Sequence, residues 1–283
     1  MRKLVFIYLL LLPLVAAFGQ GNLSVEEMAE KGMRLYEEEN YVEAVECFRD
    51  AAERGYAEAQ FYLGYCYENG EGVARDYEKA AKWYRDAADQ GQDDAQVALG
   101  NCYKKGRGVR GDYAEAARWF RRAAERGNAV GQNNLGNCYK NGEGVKRSDK
   151  KAAEWFRKAA EQGSAVGQFN LAGCYAYGKG VKEDHVEAAR WYRKAADQGI
   201  AVAQYNLGVC YLEGKGVAKD CAEAVELFRK AAEQGYPSAQ YNLGVSYYFG
   251  NGVKKNWLIA KEWLQKAAAQ GHSDAKYLLR QLE

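Results

Sequence analysis

Apolar and polar residues follow one another along this chain at helical spacing, and the pattern recurs. Between Tyr56 and Gly91, Ala59, Leu63, Cys66 and Tyr67 fall at i, i+4, i+7 and i+8, one stripe of a helix of about three turns. Gly70 ends the stripe, a loop runs from Gly70 to Arg75, and Asp76 stands where an N-cap belongs. A second helix follows, with Ala80, Trp83, Tyr84, Ala87 and Ala88 on its apolar face and Gly91 at its end. Neither helix can bury its stripe alone, so the pair must pack on itself and on the next pair.

The string Ala59 to Tyr67 returns 36 residues later as Ala95 to Tyr103, and again around Cys138, Cys174 and Cys210. A period of this length predicts a solenoid of stacked supersecondary units, each touching only its neighbours. Six units fit without insertion across 56–271, and residues 272–283 supply a further first helix, with Ala275, Leu278 and Leu279 inside and a polar exit at Arg280 and Gln281. That polar exit suits a capping helix. Upstream, 20–55 holds a shorter unit, in which Gly32, Leu35, Ala44, Phe48 and Ala51 stand at the corresponding positions of a 32-residue hairpin.

The motif is Leu-Gly-x-x-Tyr, then Gly-x-Gly-Val, then Asp, then Ala-x-x-Trp-Tyr/Phe-x-x-Ala-Ala. It reads Leu135-Gly136, Tyr139, Gly142-Glu143-Gly144-Val145, Asp149, Ala152, Trp155-Phe156 and Ala159-Ala160 in the third long unit. In these residues the six long units resemble the Sel-one-like repeat family, and the 20–55 unit resembles a tetratricopeptide repeat, the same hairpin with four fewer loop residues. Departures are Ala172 for the first-helix glycine, Leu227 for tryptophan and Ser246 for cysteine. The resemblance implies an all-α fold, a right-handed α-solenoid of stacked helix-turn-helix repeats, used as a scaffold or adaptor for other proteins.

Residues 1–19 read as a signal peptide. Arg2 and Lys3 precede an apolar run from Leu4 to Phe18, and Ala17-Phe18-Gly19 puts small residues at the two positions a signal peptidase reads. About 15 apolar residues are short of the roughly 20 that cross a bilayer, and Pro13 interrupts the run. The expectation is an exported protein, periplasmic or extracellular, beginning near Gln20 and without stable membrane insertion.

Composition is globular, at 48% hydrophobic and 28% charged. All 38 acidic residues lie beyond the leader, which holds two of the 40 basic ones, so the mature chain carries 40 − 2 − 38 = 0 net charge. A neutral chain has no electrostatic footprint for nucleic acid.

Five of the seven cysteines, Cys66, Cys102, Cys138, Cys174 and Cys210, form a ladder two residues after the first-helix glycine position. Packed helices stand about 8–10 Å apart and a disulfide needs Cα atoms within roughly 7 Å. The ladder is therefore read as buried free thiols, with Cys47 and Cys221 outside it. His185 and His272 lie in different units with no cysteine or acid pattern around them, so no metal site, cofactor or catalytic group is predicted. The Gly-x-Gly loops read as helix terminations, and Asp76, Asp112, Asp149, Asp184 and Asp220 as N-caps. Some secreted, cysteine-rich members of the resembled family bind penicillin or hydrolyse β-lactams. Their signature is a cysteine pair in each repeat, whereas this ladder has one.

In this hairpin geometry the first helices line the concave face. Steps of 36 residues place Phe169, Tyr205 and Tyr241 on one track, Asn101 and Asn137 on a second, and Lys104, Lys140 and Tyr248 on a third. The expected groove is polar and basic in the second and third long units and aromatic from the fourth. The candidate peptide-binding residues are Asn101, Asn134, Asn137 and Asn170, for backbone amides, and Phe169, Tyr205, Tyr241 and Tyr248, for apolar side chains. The cations of a tetratricopeptide carboxylate clamp are missing, since their sites hold Val97, Asn133, Val166, Asn170, Val202 and Asn206. The expected partner is a protein or extended peptide.

Overall fold

The computed structural model describes residues 23–282; the leader read as a signal peptide lies outside them. Among the described residues there are fifteen helices and no strand. Seven hairpins are followed by a single helix. The hairpins are α1 (Val25–Glu37) with α2 (Tyr41–Glu53), α3 (Ala57–Asn69) with α4 (Tyr77–Asp89), α5 (Asp93–Lys105) with α6 (Tyr113–Glu125), and α7 (Ala129–Asn141) with α8 (Asp149–Glu161). Then come α9 (Ala165–Ala176) with α10 (His185–Asp197), α11 (Ala201–Glu213) with α12 (Cys221–Glu233), α13 (Pro237–Phe249) with α14 (Trp257–Ala269), and finally α15 (Ser273–Leu282). Each helix packs on the one before and the one after it, and α7 also touches α5 and α9. First helices thus approach one another along one side, which makes that side the inner face of the stack.

Inside each hairpin the helices meet at a glycine. A Cβ on Gly136 would stand 2.6 Å from the Phe156 ring, and one on Gly100 equally close to Phe120. Ala172 breaks this rule in α9, opposite Tyr192. The loop glycines divide two tasks. Gly70 is the left-handed C-cap of α3, at φ 78°, which is the termination expected of it. Gly72 does something the motif did not suggest, since a Cβ there would fall 2.2 Å from the Tyr41 carbonyl oxygen at the start of α2. The second glycine of the loop is therefore a contact between units. The same contact joins Gly144 to Tyr113 and Gly216 to His185.

Capping aspartates accept from backbone amides at Asp76, Asp112, Asp184 and Asp220. Asp149 does not cap. Ser148 occupies that place and accepts from the Lys151 amide, while Asp149 is the first helical residue and pairs with Arg147 at 3.5 Å. A strict step of 36 residues from Asp112 lands on Ser148, so the period itself held the correct register.

A buried glutamine joins each unit to the one before. Gln60, Gln96, Gln132, Gln168, Gln204 and Gln240 each donate to a carbonyl eight residues back, for example Gln132 Nε2 to the Ala124 oxygen at 3.2 Å. Their own carbonyls accept from a second glutamine 30 residues on, as Gln132 does from Gln162 at 2.7 Å. The chain of bonds fails once. Arg126 stands where Gln90, Gln162, Gln198, Gln234 and Gln270 stand elsewhere, its guanidinium lies beside Gly91, and Gln96 Oε1 is left buried with no partner. A buried acceptor without a donor costs about 1–3 kcal/mol. Replacing Arg126 with glutamine is expected to raise Tm by roughly 2–4 °C per kcal/mol recovered, measured by thermal melts; an unchanged or lower Tm would show that the arginine is the better neighbour.

Candidate functional site

The inner face carries a cavity of about 220 Å³ walled by residues of α7, α8, α9, α10 and α11. Its walls are apolar, with Phe156 from α8, Phe169 and Cys174 from α9, and Tyr192 from α10. Phe169 and Tyr192 hold each other with ring centroids 6.0 Å apart. Two departures stand next to each other in the fourth long unit, and the second of them lines the floor. Ala172 puts a methyl where the other hairpins have a glycine, under a ring in five of them and under Leu264 in the last. Tyr192 still packs on Phe169 much as Tyr84 does on Phe61, at 5.9 Å, and Phe228 on Tyr205, at 5.8 Å. Beside Ala172, Gly173, where a Cβ would meet nothing within 4 Å, holds the position occupied by Tyr65, Asn101, Asn137, Val209 and Val245 in the other long units.

The rim is polar and cationic. Lys140 from α7 and Lys179 from the loop after α9 line it, with no carboxylate within 4 Å of either among the described residues, and Lys179 lies 5.7 Å over the Tyr177 ring. Tyr177 is 69% exposed, an aromatic lip at the mouth. Asp149 also lines the cavity, its charge offset by Arg147. A second cavity of about 150 Å³ lies across Tyr177, Tyr192 and Asn206 and reaches His185 and Val209.

The candidate residues are thus divided. Phe169 and Asn170 meet in the cavity. Asn170 spends its amide on Asn133, Nδ2 to Oδ1 at 2.8 Å, while Asn101, Asn134 and Asn137 are half-buried on α5 and α7. Tyr205 and Tyr241 are also half-buried, Tyr205 against Phe228 and Tyr236 and Tyr241 stacked 4.6 Å from His272. Tyr248 sits farther along α13, edge-on to Phe249. The groove is less basic than its residues suggest, because Lys104 donates to Glu143 at 2.8 Å, a bond that holds the Glu143 carboxyl below its ordinary range. The cavity residues that the sequence did not single out are Tyr177, Lys179, Tyr192 and Gly173, the last standing 36 residues after Asn137.

All seven cysteines are free thiols. Burial pushes Cys66 and Cys102 up to about 12 and Cys138 and Cys174 up to about 11, from an ordinary 9.0. Lys140 and Lys179 act in the opposite sense on Cys174. Such thiols are poor nucleophiles. Among the described residues no cluster of three or more His, Cys, Asp or Glu side chains is placed to hold a metal, and no helix is long and apolar enough to cross a membrane.

The repeats match the Sel1 repeat family seven times, over 18–56, 57–92, 93–128, 129–164, 165–200, 201–236 and 237–272. The chain belongs to the Sel1 repeat family. Its first hairpin is among the matches, although α1 and α2 are joined by three residues, Glu38 to Asn40, where the long units use seven, as in Gly70 to Asp76. Among solved structures, this Sel1 repeat chain is similar to c5321, a protective antigen of uropathogenic Escherichia coli with an SLR fold, at 41% identity and a TM-score of 0.84. That match covers 92% of this chain and 56% of c5321, so the chain spans little more than half of that protein. It is also similar to a Sel1 repeat protein from Oxalobacter formigenes, at 32% identity and a TM-score of 0.77, over 85% of this chain and 96% of that one. No curated protein matches the chain. Sel1 repeat solenoids are generally protein-interacting scaffolds and typically non-catalytic.

Two outcomes follow for the thiols. In the native protein Cys221 and Cys210, the two that are part-exposed, should react first with a thiol reagent, and the other five only after denaturant; rapid labelling of five or more would contradict the buried ladder. The folded-state values of the four most shifted thiols exceed the unfolded value, so the stability they contribute is complete below about pH 9 and is lost as pH rises through 11–12. Melting temperature should therefore hold from pH 7 to 9 and fall above it, less steeply in Cys66→Ala/Cys102→Ala.

Proposed function

We propose that this Sel1 repeat chain is an exported scaffold that grips an extended polypeptide on its inner face, across the third to sixth long units. The observation that carries the reading is the partly open cavity walled by α7 to α11, lined by aromatic rings and lying beside a row of half-buried asparagines. Asn101, Asn134 and Asn137 would bond the peptide backbone. Each such bond adds only about 0.5–1.5 kcal/mol net, against association costs of roughly 4–15 kcal/mol, so apolar contacts with Phe169, Tyr205, Tyr241 and Tyr248 would carry most of the affinity. Export is supported by the leader, whose charged start, apolar run and small-residue ending are those of a cleaved signal.

A photo-crosslinking residue distinguishes the faces. Placed at Asn137 or Val209, on the first helices, it should capture a partner; placed at Arg118 or Glu154, exposed on the second helices, it should not. Capture from the second-helix positions alone would assign binding to the outer surface. N-terminal sequencing of the exported protein should begin at or near Gln20, and a start at Met1 in a membrane fraction would contradict cleavage.

A further inference from the structure

We propose that the cavity beneath Tyr177 seats one large apolar side chain, aromatic by preference, from an extended acidic segment of a partner protein, and that a carboxylate two residues away in that segment meets Lys140 and Lys179. The inference rests on the inner-face reading above and names what that face recognises.

Size selects the occupant. At about 220 Å³ the cavity is below the roughly 300–1,000 Å³ of small-molecule sites, and its walls of Phe156, Phe169 and Tyr192 suit one ring with its edge to a neighbour. The exposed ring of Tyr177 adds a face that would close over the guest. Charge selects the neighbour. The two lysines of the rim lack carboxylate partners among the described residues, Asp149 is offset by Arg147, and Glu143 is taken by Lys104, so the mouth has a surplus of positive charge in a chain whose formal net charge is only +2.

Spacing settles where the acid lies. In an extended peptide successive side chains point to opposite faces, and residues two apart share a face at about 6.5–7 Å. An acid next to the seated residue would point away from the lysines, whereas one two residues away returns to them. A free terminal carboxylate is disfavoured because the groove continues beyond the cavity on both sides, to Asn137 and Asn101 in one direction and to the second cavity and Val209 in the other. A segment lying along the groove passes through the cavity without ending there.

Gly173 provides the test. Valine stands at the same register in the next two units, as Val209 and Val245, and a Cβ at Gly173 meets nothing, so Gly173→Val should fold normally while filling the floor. Random unstructured peptides displayed on phage would be selected on immobilised chain from Gln20 to Glu283, with circular dichroism and Tm confirming that each variant folds. The expected result is enrichment of an aromatic or large aliphatic residue with Asp or Glu two positions away, and roughly tenfold or greater loss of binding of the enriched peptide to Gly173→Val. The charge-reversed pair Lys140→Glu with Lys179→Glu should change the preferred neighbour from acidic to basic. If wild type and Gly173→Val enrich the same peptides, the cavity is not the seat while the inner-face reading stands. If peptides are enriched without an acidic neighbour, or bind only when the acid is the terminal carboxylate, the assignment of the lysines is wrong. If no sequence is enriched on any of these proteins, both readings fall.

Discussion

The stack depends on how closely two helices approach within one hairpin. Glycines of the first helix, among them Gly32, Gly64, Gly100, Gly136 and Gly208, lie so near a ring of the second that a Cβ would come within 2.8 Å of ring carbons. A gap that small cannot be adjusted by rotamer changes, because a close-packed interior leaves no room for them. It sets the distance between the helices, and with it the surface that each unit offers the next. The buried glutamines reach the carbonyls of the preceding helix, and Gly72 and its equivalents seat on backbone, in every long unit, the one with Ala172 included. Polar bonds inside such an interface add modest net energy, but leaving one out is expensive, so the glutamine ladder enforces register more than it supplies stability.

Against that rule, the fourth long unit stands out. Ala172 adds the methyl that the other hairpins exclude, and Gly173 removes the side chain that they carry at the next position. The two changes oppose each other in volume. Tyr192 packs as its counterparts do, and the side chain missing at Gly173 leaves space unfilled, so a void that would otherwise cost stability opens toward solvent and the lysines at its mouth. Voids inside a core are penalised in proportion to their size; a void that a guest can enter is penalised only while the guest is away.

The hairpins and their period were legible in the sequence because they follow from spacing alone, and so was the burial of four ladder cysteines; Cys210 is part-exposed, and Cys47, outside the ladder, is buried. Helix ends were legible too, except at Ser148, where an aspartate one residue late drew attention away from the strict period. The role of the second loop glycine was not legible. Gly72 touches Tyr41, 31 residues earlier, and no local pattern announces a contact between the loop of one unit and the helix start of another. The groove was only partly readable for a related reason. Tracks of equivalent residues show which side chains share a face but not which are already engaged, and Asn170, Lys104 and Tyr241 each have an internal partner.

Confinement of the two substitutions to one unit is tolerated because of solenoid architecture. In a closed globular core, an added methyl and a missing side chain would be felt by neighbours on all sides. In a stack, each unit meets only the units before and after it, and stability is approximately a sum of unit and interface terms. The third and fifth long units keep their glycine under the ring, at Gly136 against Phe156 and Gly208 against Phe228. The inter-unit bonds cross the altered unit intact, with Gln168 accepting from Gln198 and Gln204 from Gln234, both at 2.8 Å. Changes in one hairpin can thus shape a cavity that the units on either side help to wall.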